Sequence, residues 1–224
     1  MINNKEQIKG LLNFSETGDF YMLYVMKRKK DQPEGEKDNH QSVRVIRSYC
    51  IKSVEQLDKR WEEVVMLCEM FKARAYIHVQ KQNHKDVSLN MMVALAQRIQ
   101  DGNLEQQSLF DSVVGQLRVH EKRWIIDIDE VSVDAFAHAP FYIQMRKYIE
   151  ELQEEAGTDQ TKTFLKTRTG FHIITQPFNS QKFSERYPNV DIQKKNPTLL
   201  YYPDSLDQAA APPPPPPDRM LKQF

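Results

Sequence analysis

The sequence predicts an α+β fold with a largely antiparallel sheet in its second half. Runs rich in Tyr, Val and Ile, the mark of strands, stand beside stretches whose apolar residues fall at helical spacing. Strand-like runs crowd together after residue 160, and two of them meet at Thr169-Gly170, a hairpin turn. No internal repeat is evident. The 224 residues suit one large domain or two small ones, with enough chain for a substantial core.

Taken in order, residues 4–13 read as a short amphipathic helix. Asp19–Lys29 and Ser42–Lys52 read as strands joined by a charged loop containing Asp31-Gln-Pro-Glu-Gly-Glu-Lys-Asp38. Ser53 is placed to cap the next helix, with Gln56 at the capping-box position. Val54, Leu57, Trp61, Val64, Val65 and Cys68 then follow helical spacing. Arg74–Gln80 reads as a strand, Asp86–Gln100 as a helix ending near Gly102, and 104–118 as weakly helical. A strand over 123–131 leads through a proline-bounded loop to a helix from Phe141 to Glu155. Phe164–Thr169 and Phe171–Phe178 form the hairpin, Ser180–Arg186 a short helix, and 190–194 and 198–202 further strands. The expected organisation is an N-terminal α/β region, 1–120, a motif-bearing sheet region of the same core, 121–204, and a proline-rich tail, 205–224.

Composition narrows the function classes. Lys plus Arg number 31 and Asp plus Glu number 31, so no global basic excess marks a nucleic-acid coat protein, and polyanion binding would rest on local patches. Two cysteines, Cys50 and Cys68, exclude a Cys-rich zinc site and give no disulfide framework; both are expected as buried free thiols. There is no apolar leader at the start and no run of 18 apolar residues, so a soluble, cytoplasmic protein without membrane contact is expected. Met66, Met70, Met91 and Met92 are expected to fill core, as are Phe171, Phe178, Tyr201 and Tyr202. The tail carries six consecutive prolines, a polyproline II rod. It reads as a semi-rigid spacer in preference to a docking peptide for a protein partner.

The chemistry concentrates in Trp124-Ile-Ile-Asp-Ile-Asp129, Thr169-Gly-Phe-His-Ile-Ile174 and Val190-Asp-Ile-Gln-Lys-Lys-Asn196. Alternation on a strand puts Asp127 and Asp129 on one face, with Ile126 and Ile128 on the other. Like charges so placed repel, and each loses hydration when partly buried, an arrangement that a bound Mg²⁺ or Mn²⁺ relieves. Asp191 would supply a third carboxylate from a neighbouring strand. His172 shares a face with Gly170 and Ile174, and Gly170 permits close approach by a phosphate or a backbone. Lys166, Arg168, Lys194 and Lys195 add positive charge nearby.

The order hydrophobic-Asp-hydrophobic-Asp in Ile125-Ile-Asp-Ile-Asp129, small-x-His in Gly170-Phe-His172 and hydrophobic-Asp in Val190-Asp191 resembles the three signature motifs of the archaeo-eukaryotic primase superfamily, primase-polymerases included. The run 190–196 is also similar to the third-motif strand of polymerase domains in bacterial end-joining ligases. The motif-bearing match covers roughly residues 123–204. The resemblance implies a bilobed core with an RNA-recognition-like catalytic sheet and a metal-dependent nucleotidyltransferase of the primase or DNA polymerase kind, at work in DNA replication. Its cofactors would be Mg²⁺ or Mn²⁺ and its partners nucleic acid and nucleoside triphosphates. By position, Asp127, Asp129 and Asp191 would be catalytic metal ligands. His172 would contact the triphosphate, with Gly170, Lys166 and Arg168 beside it in nucleotide binding. The family's second motif usually begins with Ser, where Gly170 stands here, and neither a zinc-binding module nor a helicase domain accompanies the core.

Other readings compete. A non-catalytic relic of the same fold would bind nucleic acid or nucleotide without turnover. An aspartate-dependent phosphatase would use Asp127 as nucleophile; Val131 fits its pattern, but the position of the motif far along the chain does not. Asp204 rivals Asp191 but follows Pro203 at a strand end. Arg74, Tyr76 and His78 share a strand face able to line a nucleotide or template groove. Lys27-Arg-Lys-Lys30 reads first as a solvated strand end and second as a template-phosphate patch.

Overall fold

The computed structural model describes residues 1–28, 31, 43–103, 109–117, 119, 121–160 and 162–208. The proline run and most of the charged 31–38 loop, with Lys29 and Lys30, lie outside the described residues. The chain begins with β1 (Ile2–Asn3) and α1 (Lys5–Lys9), then β2 (Asp19–Arg28), β3 (Val43–Ile51) and α2 (Val54–Phe71). β4 (Arg74–Ile77), β5 (Gln82–Asn83), α3 (His84–Gln100) and α4 (Leu109–Gln116) complete the first half. The second half runs β6 (Trp124–Ile128), α5 (Val133–His138), α6 (Pro140–Ala156), β7 (Thr163–Lys166), β8 (Phe171–Thr175) and α7 (Ser180–Arg186). It closes with β9 (Asp191–Gln193), β10 (Thr198–Tyr202) and α8 (Ser205–Gln208). This is an α+β protein with two antiparallel sheets.

The first sheet orders its strands β1-β10-β4-β2-β3, with β5 pairing the start of β2. The second orders them β7-β8-β6-β9. The strand at 198–202 therefore does not join the second-half sheet, as proximity in sequence suggests. It crosses back to lie between β1 and β4. Asn4 ties the two sheets at this crossing: its side-chain amide donates to the carbonyls of Lys166, at 2.8 Å, and Leu199, at 2.9 Å.

Local chemistry explains the helix ends. The Ser53 hydroxyl accepts from the Gln56 amide N–H at 3.1 Å, while Gln56 Oε1 accepts from the backbone N–H of Lys52, one residue short of the standard reciprocal box. α6 starts with Pro140 in its first turn and stops at Gly157, whose φ of 65° suits glycine. The proline-bounded loop contains a helix the sequence reading omits. Ser132 caps α5 by accepting from Ala135 N–H at 3.2 Å, and six residues are too few for an apolar period to register.

One face of the second sheet, with Ile126, Ile128 and Ile173, packs on Phe136, Met145, Ile149, Leu152 and Phe183 of α5, α6 and α7. Ile125, Leu165 and Ile174 point the other way and merge with Leu23, Val25, Ile77, Leu57 and Val64 in the core of the first sheet and α2. A third cluster joins Phe20 and Met22 to Val87, Val113 and Val114 of α3 and α4. Phe178, Tyr201 and Tyr202 are buried as expected, and Cys68 is a buried free thiol, but Cys50 is only half-buried. The methionine expectation fails for three of four residues: Met66, Met70 and Met92 are 51%, 64% and 68% exposed. α2 turns Leu57, Val64 and Cys68 inward, so Met66 and Met70, one turn apart, fall on its outer side. Only Met91 packs against the third cluster. No helix among the described residues is long and apolar enough to cross a membrane.

Candidate functional site

Asp127 sits in the middle of a row of polar residues that crosses three strands. β6 buries Ile126 and Ile128 against the helices, so the residue between them faces the other way. Cross-strand register pairs Asp127 with His172 on β8 and with Asp191 on β9. Directly opposite residues on antiparallel strands present side chains to the same face, so Asp191, Asp127 and His172 form one row. His172 Nε2 lies 3.3 Å from Asp127 Oδ1, and the Gln193 side-chain amide donates to Oδ2 at 2.8 Å.

The carboxyl of Asp127 is half-buried, and burial alone would raise its pKa. The hydrogen bond and charge of His172, the Gln193 amide and the more distant charge of Arg28 overcome that and hold it below the usual carboxylate range. Asp127 is therefore ionised and only accepts hydrogen bonds. His172 is itself buried, and its Nδ1 lies 2.8 Å from Oγ1 of Thr198, a fully buried residue of β10. Asp191 is exposed.

The strand expected over 123–131 is shorter, and Asp129 lies one residue beyond its end. β6 ends at Ile128, and Glu130 takes a left-handed φ of 56°, so simple alternation does not extend to residue 131. Asp129 stands at the strand's exit, where its Oδ1 accepts from the Thr169 hydroxyl at 3.3 Å. Val131 N–H donates to Thr169 O at 3.0 Å, tying this exit to the β7–β8 turn. In that turn Gly170 is obligatory: a Cβ there would lie 1.8 Å from Ile128 O and 3.1 Å from Asp129 Cα. Any side chain, serine included, lacks room at this position, and the hydroxyl that reaches Asp129 belongs to Thr169.

The basic residues scatter. Lys166 pairs with Phe171 across the hairpin, so it points to the face opposite His172. The Arg168 guanidinium lies 5.9 Å from the Tyr202 ring of the first sheet, and Arg74 lies 4.8 Å from the same ring. Lys194 covers Trp124 at 4.6 Å, and Lys195 Nζ donates to Gly115 O at 3.3 Å. The rival carboxylate, Asp204, is ion-paired with the N-terminal amine of Met1, whereas Asp191 lies beside Asp127.

Arg74 and Tyr76 do share a face, opposite Met26 and Tyr24 of β2, but Arg74 is committed to Asp31 at 2.5 Å in a nearly buried ion pair. His78 and Tyr24 meet edge to face at 5.7 Å and line a cavity with Met22, Gln80 and Lys195. Burial pushes the pKa of His78 down to about 4. Gln193 and Thr198 are functional neighbours that the sequence reading passes over. Gln193 was legible, since a residue two beyond Asp191 on a strand shares its face. Thr198 was not, because its role depends on β10 leaving the second sheet.

The carboxylate oxygens suit a hard divalent cation in donor type, and two like charges directly across a strand pair repel until one is bound. Among the described residues, however, no group of three His, Cys, Asp or Glu side chains is gathered closely enough to hold a metal. This donor set fits Mg²⁺ in its usual protein setting, where one or two carboxylates and the phosphates of a substrate share the ion with water, and it does not form an all-protein cage. Comparison with protein-family models, curated proteins and solved structures gives no match to this chain.

Proposed function

We propose that this protein is a metal-dependent nucleotidyltransferase of the primase-polymerase type, taking nucleoside triphosphates and nucleic acid as substrates. On this reading the two sheets are the lobes of a primase-polymerase-like core and β7-β8-β6-β9 is its RNA-recognition-like catalytic sheet. The observation that carries it is Asp127 flanked in register by His172 and Asp191, with Asp129 at the same strand's exit. Residues from three separated motifs thereby reach one surface, in the order that the primase resemblance requires.

Asp127 and Asp191 would hold Mg²⁺ or Mn²⁺ together with substrate phosphates, with Asp129 one strand step further on. Bound there, the ion would neutralise developing charge on the reacting phosphate and lower the pKa of an attacking hydroxyl. His172 Nε2 carries a hydrogen toward Asp127, because an ionised carboxylate can only accept. The same N–H is available to a phosphate oxygen once the carboxylate is taken by the cation. Gly170 lets the turn approach the strand exit, where the Thr169 hydroxyl donates to Asp129. Gln193 restrains the Asp127 carboxylate through Oδ2.

The test is extension of a primed template, and synthesis on an unprimed one, with Mg²⁺ or Mn²⁺ and nucleoside triphosphates. Activity in the wild type that is lost in Asp127→Ala and Asp191→Ala, both folded, supports the assignment. A wild type inert across several templates sinks it. A second reading, a nucleotide- or nucleic-acid-binding module without turnover, is favoured by one observation: both Asp127 oxygens already have protein donors. Mn²⁺ titration with and without nucleotide separates the two, since only the enzyme needs the ion.

A further inference from the structure

We propose that the outer side of α3 is a self-association surface, on which two copies of this chain pair antiparallel through Leu89, Met92, Val93, Ala96 and Ile99. The proposal is independent of the nucleotidyltransferase reading. α3 is a 17-residue helix with apolar residues on two opposite sides. On its inner side Val87, Met91, Ala94 and Leu95 pack into the third core cluster. The five outer residues stand about 180° round the helix from that side, at 3.6 residues per turn. They face solvent: Leu89 is 53%, Met92 68%, Val93 71% and Ile99 52% exposed, and Ala96 is exposed as well. A helix resting on one core needs one apolar stripe, and its far side is ordinarily charged or polar. Here residues 87–97 include no charged side chain.

The spacing of the outer residues selects a helix as the occupant. Leu89, Met92, Ala96 and Ile99 follow one another at steps of three, four and three, the a and d positions of a coiled-coil seam. An identical helix fits this seam when it runs antiparallel about a two-fold axis level with Ala94. Leu89 of one copy then meets Ile99 of the other, and Met92 meets Ala96, a long side chain over a short one. Val93 meets its own counterpart. The charged residues bordering the seam, Lys85 and Asp86, fall against the neutral Asn103 and Gln100 of the other copy, so no like charges are opposed. Beside Val93, α3 and α4 leave a groove of 640 Å³ walled by Val113, Gln116 and Leu117, which gives the second helix room to lie low. The four large side chains, each half to three-quarters exposed, present roughly 400 Å² of apolar surface, and pairing removes twice that. The polar flanks carry the total toward the ~1,200 Å² of a small specific interface. Self-association of roughly micromolar strength follows.

Sedimentation equilibrium of the full chain tests this. Its mass should rise from one chain to two across the roughly micromolar range. Met92→Glu brings two carboxylates close to the axis and should stay monomeric throughout, with the circular dichroism and urea midpoint of the wild type, because this side chain is already in water in the single chain. Val93→Lys should do the same with the opposite charge. Leu89→Lys and Ile99→Glu should each weaken self-association by roughly tenfold or more, since each sets an unpaired charge against an apolar residue. Mixing those two variants places the new ammonium against the new carboxylate and should restore dimers containing one of each. A wild type that remains a monomer at every concentration overturns the proposal, as does a dimer that Met92→Glu and Val93→Lys leave unchanged. A mixture that fails to pair better than either variant alone overturns the antiparallel arrangement and the proposal with it.

Discussion

Replacing Gly170 with alanine adds one methyl group at the tightest backbone contact of the site. That carbon would sit 1.8 Å from Ile128 O, 2.9 Å from the same carbonyl carbon and 3.1 Å from Asp129 Cα. The shortest comfortable carbon–oxygen approach is about 3.3 Å, so the turn and the end of β6 must part by roughly 1.5 Å. All three obstacles are backbone, and no side-chain rotation relieves them. Overpacking of a core ordinarily costs about 1–3 kcal/mol, and a backbone clash of this depth belongs at or above the top of that range, about 3 kcal/mol. With a urea dependence of about 3 kcal/mol per molar for a chain of this size, the unfolding midpoint should fall by about 1 M. Whatever native protein remains should have Asp129 displaced, and nucleotide-dependent Mn²⁺ binding should drop with it. Urea titration followed by circular dichroism and tryptophan fluorescence reads the first effect, and calorimetric titration reads the second. A Gly170→Ala protein whose midpoint matches the wild type within about 0.2 M would refute the argument that this approach is rigid.

Three further outcomes are expected. Asp127→Asn should abolish template extension while leaving the fold intact, and retained extension would remove Asp127 from the chemistry. Ser53→Ala removes the hydroxyl that caps α2 and should cost about 1 kcal/mol, read as a lowered urea midpoint; no change would show the cap to be idle. His78 is held neutral by burial, its pKa pushed down to about 4 from an ordinary 6.5, so the unfolded chain binds its proton first. Stability should therefore be full above about pH 6.5 and fall as pH drops toward 4, by about 3 kcal/mol at most. His78→Gln should flatten that slope between pH 7 and 5, and an unchanged slope would assign the acid sensitivity elsewhere.

The strands, helices and their types were largely legible, because β2 and β3 are runs rich in Tyr, Val and Ile and the apolar residues of α2 fall at helical spacing. What the sequence hides is where a short strand pairs. β10 has five residues, all buried, and nothing in Thr-Leu-Leu-Tyr-Tyr states which sheet receives it. Its crossing brings Thr198 to His172, so the hydrogen-bonded partner of the motif histidine was out of reach. Asp127 and His172 were singled out because each lies in an apolar strand where a polar side chain is conspicuous, and Asp191 because it stands in an alternating run. The strand was read three residues too long, through 131, because alternation assumes that it continues, whereas it ends at Ile128 and Glu130 takes a positive φ. Lys166 and Arg168 were proposed from nearness in sequence, but pairing across the hairpin puts Lys166 on the face opposite His172, and the Arg168 guanidinium lies over Tyr202 of the first sheet.

The position of β10 also sets a condition on assembly. The second strand of the first sheet is supplied by residues 198–202, after the whole second sheet has been made. During synthesis β4 waits with one edge unpaired, and β1, whose pairing is with β10, has no partner until nearly all the described chain has left the ribosome. Such distant pairing slows folding and leaves a strand edge exposed to other chains meanwhile. A fragment ending after the second sheet should therefore be insoluble, and adding residues 198–208 as a separate peptide should rescue it by filling the vacant lane.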